Sequence, residues 1–257
     1  MKSSISVVSL MANTNKKNVL VLVEGEKTDV ALMQKLFRTY TELDANYRIV
    51  PYRTNIYVLY NEVFEAMDEK EDMDLLLALR AREPDISKKK LLDDKYSDII
   101  LVFDLDPQDP QFSAEKIRRM QAYFCMSSDM GKLYLNYPMV ESFYHMPTIP
   151  DHEFMRRTVQ MEELISGSYK ARVGRESFGH DYRKFAATRA AMNYVVSENA
   201  KKALTLAGEE GKGWSEIDYS AVLESQLEWL LKNDLQVLCT CVLYVYDYNR
   251  RLLSDKE

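Results

Sequence analysis

Cysteine is scarce in this chain: Cys125, Cys239 and Cys241 are the only three in 257 residues. An odd, unevenly spaced set without C-x-x-C excludes a zinc ribbon and a secreted disulfide framework, so a reducing cytoplasm is the expected home. Cys239-Thr240-Cys241 lies in an apolar run without a neighbouring histidine, and buried packing is the better reading of it. No apolar stretch approaches the ~18 residues of a membrane span. The best, Leu235 to Tyr246, is interrupted by Gln236 and Thr240. Lys2 with Ile5 to Ala12 has the outline of a signal peptide, but the apolar part is short and Asn13 to Asn18 lacks a small-residue cleavage pattern. Positive charge is in deficit, with a formal net charge of −6. A polyanionic partner therefore has to be met by a local basic patch or through bound metal ions. Nucleotide and zinc signatures are missing as well. Gly208-Glu-Glu-Gly211-Lys212 has the wrong spacing for a P-loop, and Arg156 stands where a zincin starting at His152-Glu153 needs histidine. There is no internal repeat.

With 46 % hydrophobic and 29 % charged residues, the chain has ordinary globular usage and can build a substantial core. Asn18 to Val23 (NVLVLV) is a continuous aliphatic run, the pattern of a strand buried on both faces. After Glu24-Gly25-Glu26-Lys27, residues Val30, Met33, Leu36 and Phe37 recur at helical spacing, with Thr28 or Asp29 placed to cap the start. Tyr47 to Tyr52 reads as a second strand. Ile56 to Leu79 reads as helix with a solvated acidic face that includes Glu62, Glu65 and Asp68. Arg80 to Asp94 reads as a polar connector into Asp98 to Phe103 (DIILVF), another fully apolar strand. Ser113 with Glu115 opens an amphipathic helix, and Lys132 to Leu135 supplies a further strand.

This order predicts an α/β fold, a mainly parallel sheet with helices on both faces, followed by a mostly helical C-terminal region. The expected divisions are an extension over 1–17, a sheet domain over 18–147 and the helical region over 148–257. In the last, helices are expected over Asp151 to Ile165, Asp181 to Leu206 and Asp218 to Leu231, separated by the glycine-containing stretches Ser166 to Gly179 and Gly208 to Gly213. Val237 to Tyr246 fits a buried strand or a buried helix equally well.

Acidic residues fall at informative places. Glu24 follows the first apolar strand, and Asp104 and Asp106 follow another, so the three are expected at one carboxyl edge of the sheet, where such folds bind ligands. Carboxylates gathered there repel one another, and an oxygen cage of this type suits Mg²⁺ or Mn²⁺. Gly25 allows the backbone to turn sharply and approach a ligand.

A hydrophobic strand ending in Glu24-Gly25 and a later one ending in Asp104-Leu105-Asp106 resemble the Toprim domain of topoisomerases, primases, some ribonucleases and the nucleases of the overcoming-lysogenization-defect class. The combination EGEKTD followed by a short helix is most similar to small Toprim proteins of bacterial anti-phage defence, including those related to RloB. The resemblance covers about residues 18 to 145. It implies a metal-dependent nuclease in which Glu24 is a metal ligand and general acid or base, while Asp104 and Asp106 hold Mg²⁺ or Mn²⁺. A short chain with no distinguished nucleophile among 17 tyrosines disfavours a topoisomerase, and the absence of zinc-binding cysteines disfavours a primase. Glu141, in Asn136-Tyr-Pro-Met-Val-Glu-Ser-Phe-Tyr-His145, is an additional candidate ligand by geometry, with His145 one helical turn away.

Each acid also has a structural alternative. Glu24 fits the dipole of the following helix, and Asp104, Asp106 and Asp109 fit turn chemistry before and after Pro107. Nucleic-acid contacts are expected from Lys170, Arg172, Arg175, Arg183 and Lys184, interleaved with Tyr169, Phe178 and Tyr182. The expected activity is hydrolysis of phosphodiester bonds in DNA, transfer RNA or other RNA, in an effector held in check by a partner such as an ATPase encoded alongside, or by homodimerisation. Two competing readings are a Toprim fold used for binding alone and a haloacid-dehalogenase-like phosphatase with Asp104 as nucleophile. The second leaves Glu24-Gly25 unexplained, and Pro107 and Gln108 depart from that family's Thr or Val after the second Asp.

Overall fold

Residues 8–9, 16–64, 75–128, 131–210 and 215–254 are described by a computed structural model of the chain. The apolar runs form the centre of one sheet, whose strands are β1 (Val8–Ser9), β2 (Lys17–Val23), β3 (Ala45–Pro51), β4 (Asp98–Asp104) and β5 (Lys132–Asn136). Their spatial order is β1-β3-β2-β4-β5. Strands β2 to β5 run parallel, and β1 lies antiparallel to β3. The expected α/β architecture is therefore present. Val19 to Val23 and Ile99 to Phe103 are almost wholly buried, which is why neither run shows alternation: cover lies over both faces.

Helices α1 (Thr28–Thr39), α2 (Ile56–Phe64), α3 (Leu75–Arg82), α4 (Ile86–Leu92) and α5 (Ala114–Tyr123) connect the strands. Two expectations change here. Neither Thr28 nor Asp29 caps α1: the cap position is Lys27, and Asp29 turns inward from the first turn. The connector Arg80 to Asp94 contains α4, because Asp85 accepts the backbone N–H groups of Ser87 and Lys88 and so starts a helix that its lysine triplet disguises. Much of the expected acidic helix face, together with most of residues 1–15 and the end of the Gly208 to Gly213 stretch, lies outside the described residues.

The C-terminal region is mostly helical but is cut differently from its periodicity. Asp151 to Ile165 is not one helix. It runs through a turn into β6 (Thr158–Gln160) and the five-residue α6 (Met161–Ile165), since β6 pairs with β7 (Asp234–Gln236). The stretch read as a glycine-containing separator holds α7 (Ser168–Glu176). The long helix begins only at Arg189, as α8 (Arg189–Leu206), where Thr188 accepts the Ala191 N–H. Gly208, at φ +75°, closes it in a left-handed conformation that favours glycine. Helix α9 (Tyr219–Leu230) follows its Asp218 cap as expected. Val237 to Tyr246 is neither strand nor helix throughout. Leu238 bridges Tyr137 beside the sheet, and the chain becomes helical from Cys241 into α10 (Tyr244–Asn249). One buried core extends from β2 to Leu253. Among the described residues, no helix is long and apolar enough to cross a membrane.

Candidate metal centre

The strand register delivers the acids to one edge. Val23 pairs with Val102, and Asp104 pairs with Asn136, so Glu24, Asp104 and Asn136 stand at the carboxyl ends of three neighbouring parallel strands. The Glu24 N–H continues the ladder to Val102 O at 3.0 Å, and Glu24 Oε2 accepts the Asp104 N–H at 3.1 Å. Asp106 sits just beyond, at φ +40°, a left-handed turn conformation that Asp tolerates. Its N–H is held by Pro138 O at 3.1 Å, and its Oδ1 accepts from Gln108 Nε2 at 3.0 Å. As a result, carboxylate oxygens of Glu24, Asp104 and Asp106 all lie within 4.8 Å of one another.

They form the floor of an open cleft of about 670 Å³, whose walls include Gly25, Asp29, Arg53, Asn55, Glu141 and Lys170. Gly25 gives a close approach: a Cβ there would lie 2.5 Å from Asp29 Oδ2, which would have to shift. Glu141, on the short turn Val140–Tyr144, is buried, and its Oε1 lies 3.5 Å from Lys170 Nζ on α7.

Electrostatics make ionisation of the cluster costly. Burial pushes the Glu24 carboxyl up to about 8; Asp106 and Asp29 add to the rise, and the Asp104 N–H and Lys170 oppose it. Asp29 rises to about 6, again chiefly by burial. Asp104 is held well above the usual carboxylate range by burial and then by Glu24, Asp29, Asp106 and Glu141, and Asp106 is also raised. Burial alone would lower the Lys170 ammonium, but Glu141, Asp104 and Asp106 outweigh it and raise it. Asp29 Oδ1 and Glu141 Oε2 are buried without a hydrogen-bond partner. An all-oxygen set with buried orphan acceptors fits Mg²⁺ or Mn²⁺.

The remaining candidates separate. His145 is wholly buried away from the cluster: Nδ1 contacts Tyr169 OH at 3.2 Å and Nε2 contacts Glu176 Oε2 at 2.9 Å, while burial lowers its pKa to about 4. Asp109 does turn chemistry, accepting from Gln111 N and Asn55 Nδ2 at 2.7 Å each. Of the basic residues, Lys170 reaches the cleft, whereas Arg172 is engaged by Glu163 at 3.1 Å and Glu176 at 3.2 Å. Arg175, Arg183 and Lys184 are exposed, with Arg183 lying along Asp181. Tyr169 is core, and Tyr182 stacks on Tyr144 with ring centroids 4.0 Å apart, so of the three aromatics Phe178 alone is exposed. Cys239 and Cys241 are buried, as expected.

Asp29 and Asn136 are the site residues that sequence reasoning missed. The signal for Asp29 was its place in the first helical turn after the glycine, and for Asn136 a polar residue ending the apolar strand KLYLN. Fold and cleft together define an α/β protein with an acidic oxygen cluster suited to a divalent cation. No protein-family model matches the chain, and comparisons with curated proteins and with solved structures give no match.

Proposed function

We propose that the cleft is the active centre of a Toprim-type, divalent-metal-dependent nuclease that hydrolyses phosphodiester bonds of nucleic acid. The observation that carries this reading is the convergence of Glu24, Asp104 and Asp106 oxygens within 4.8 Å at the ends of adjacent parallel strands. These three residues would hold the ion, with Glu141 beside them. When bound, Mg²⁺ or Mn²⁺ polarises the scissile phosphate, activates water and stabilises the leaving oxygen. Glu24 lines the cleft with Oε2 held on the Asp104 N–H, and its raised pKa suits proton exchange with the attacking or leaving group. Lys170 offers an ammonium to the phosphate's charge, and exposed Arg175, Arg183 and Lys184 grip flanking phosphates. Asn55 and Arg53 line the same cleft.

The setting proposed is bacterial anti-phage defence in the cytoplasm, on the EGEKTD resemblance. Unregulated cleavage would damage the host, so a partner protein such as an ATPase encoded alongside, or a homodimer, holds the activity in check. The test is cleavage of plasmid DNA and total transfer RNA by purified protein with Mg²⁺ or Mn²⁺, beside Glu24→Ala, Asp104→Ala and an EDTA control. Metal-dependent cutting lost in both variants supports the proposal and names the substrate class. Phosphate release from small esters without cleavage would replace it with a phosphatase using Asp104. Tight nucleic-acid binding without cleavage under any condition would replace it with a binding module.

A further inference from the structure

Asn136 is wholly buried at the end of β5, directly opposite Asp104 in the parallel register. Both ends of its amide are engaged. Nδ2 donates to Asp104 Oδ1 at 3.2 Å. Oδ1 accepts the Cys241 N–H at 3.3 Å and faces the Cys239 thiol at 3.6 Å. The flipped amide would set oxygen against the Asp104 carboxylate and N–H₂ against the Cys241 N–H, so the network itself fixes the orientation. The Asn136 main chain takes part as well, its carbonyl accepting the Leu105 N–H at 3.0 Å.

The far side of this contact is equally fixed. Leu238 and Tyr137 exchange two backbone hydrogen bonds, at 2.8 and 2.9 Å, and the Cys239 N–H donates to Asn199 Oδ1 on α8 at 2.8 Å. Asn199 Nδ2 in turn donates to Val195 O at 2.8 Å within the same helix. A continuous series of hydrogen bonds thus runs from α8 through the Cys239–Cys241 turn and Asn136 to the Asp104 carboxylate. Among the described residues, no hydrogen bond reaches Asp104 Oδ2.

We propose that Asn136 is a positioning residue for the metal centre: it fixes the Asp104 carboxylate plane through Oδ1, presents Oδ2 to the cation, and transmits to the site the placement of the C-terminal helical region. This rests on the reading of Glu24, Asp104 and Asp106 as metal ligands. The physical basis is that a free Asp carboxylate rotates about its terminal bond, and a cation gains most from oxygens already held in place. Partners that orient a ligand in this way are worth about 10- to 100-fold in metal affinity.

The test uses the full chain and Mn²⁺ as probe, with binding followed by electron paramagnetic resonance in wild type, Asp104→Ala and Asn136→Ala, and folding followed by thermal unfolding in EDTA. The expected result is Mn²⁺ binding by wild type, its loss in Asp104→Ala, and an affinity about 10- to 100-fold weaker in folded Asn136→Ala. Wild-type affinity in folded Asn136→Ala, with Asp104→Ala still inactive in binding, overturns the positioning role and leaves the metal centre standing. No Mn²⁺ binding by wild type overturns both. A second measurement needs no Asn136 variant. In ¹H–¹⁵N spectra of the wild type, the Asn136 side-chain amide pair is expected to shift on addition of Mg²⁺ and to stay unmoved in Asp104→Ala. An Asn136 amide that ignores saturating Mg²⁺ in the wild type overturns the proposal even where Asn136→Ala does not fold.

Discussion

Glu24 Oε2 accepts the backbone N–H of Asp104 at 3.1 Å, so two acids that are 80 residues apart in sequence are held as one unit at the end of two parallel strands. Burial then makes ionisation of that unit costly without a cation. The Glu24 carboxyl, ordinarily near 4.5, is pushed up to about 8, so between those values the folded protein binds more protons than the unfolded chain. Stability of the metal-free protein should therefore fall as pH rises from about 4.5 through 8. Saturating Mg²⁺ should restore it, by about 2.7 kcal/mol at a hundredfold excess over Kd. Glu24→Gln should be more stable than wild type in EDTA at pH 8 and should lose the Mg²⁺ increment. Thermal unfolding at two pH values, with Mg²⁺ and with EDTA, checks this; equal Mg²⁺ stabilisation in Glu24→Gln would remove Glu24 from the metal centre.

Gly25→Ala tests the close approach behind Glu24. The added Cβ would meet Asp29 Oδ2 at 2.5 Å, and Asp29 is buried, so its carboxylate or the first turn of α1 has to move. Overpacking of this kind costs about 1–3 kcal/mol. The expected outcome is a lower thermal midpoint together with weaker Mn²⁺ binding. A variant with the wild-type midpoint and Mn²⁺ affinity would show that the turn takes up the added Cβ without disturbing the acidic cluster.

The basic residues divide by what already holds them. Arg172 is shared between Glu163 and Glu176, so Arg172→Ala should cost about 1 kcal/mol of stability while leaving nucleic-acid affinity near wild type. Arg175→Ala and Lys184→Ala, at exposed positions, should weaken binding and lower the slope of log affinity against log salt by about one each. Fluorescence anisotropy with a labelled oligonucleotide over about 50 to 200 mM salt distinguishes them. An Arg172→Ala variant with wild-type stability and a reduced salt slope would reverse the assignment.

Much of this site could be read from the chain itself because its parts follow strands that carry their own signal. Asn18 to Val23 and Asp98 to Phe103 are uninterrupted apolar runs, and a residue just past a parallel strand has little freedom about where it lies. Asp29 was missed because an acid at a helix start has a common and sufficient role as a cap, and nothing local says that this turn faces a cleft. The segment from Asp151 to Ile165 breaks its helical periodicity for a related reason: β6 exists only because β7 pairs with it from far along the chain, Val159 facing Leu235 in the register. Arg172 looked free because Glu163 reaches it across the α6–α7 turn. Long-range pairing and neutralisation leave no periodic trace.

Lys202 gives a pH dependence of opposite sign to that of Glu24. Its Nζ is buried and donates to Phe154 O at 3.0 Å and Arg157 O at 2.8 Å. Burial lowers its pKa from 10.5 to about 7; Arg157 adds to the fall, and Asp151 and Asp234 oppose it. Between about 7 and 10.5 the unfolded chain binds a proton that the folded protein does not, so this residue makes stability rise with pH across that window. Both carbonyls keep a backbone donor without it, Arg157 N–H for Phe154 O and Val237 N–H for Arg157 O, so a methionine of similar length leaves neither orphaned. Lys202→Met should therefore fold, and the stability of wild type relative to it should climb by up to about 1.4 kcal/mol per pH unit above 7. Urea unfolding of both proteins at pH 7, 8 and 9 reads the difference directly, and because Glu24 is present in both, its contribution cancels. A constant difference across the three pH values would mean that Lys202 stays protonated in the fold, its charge carried by the two carbonyls and the Phe154 ring beneath it.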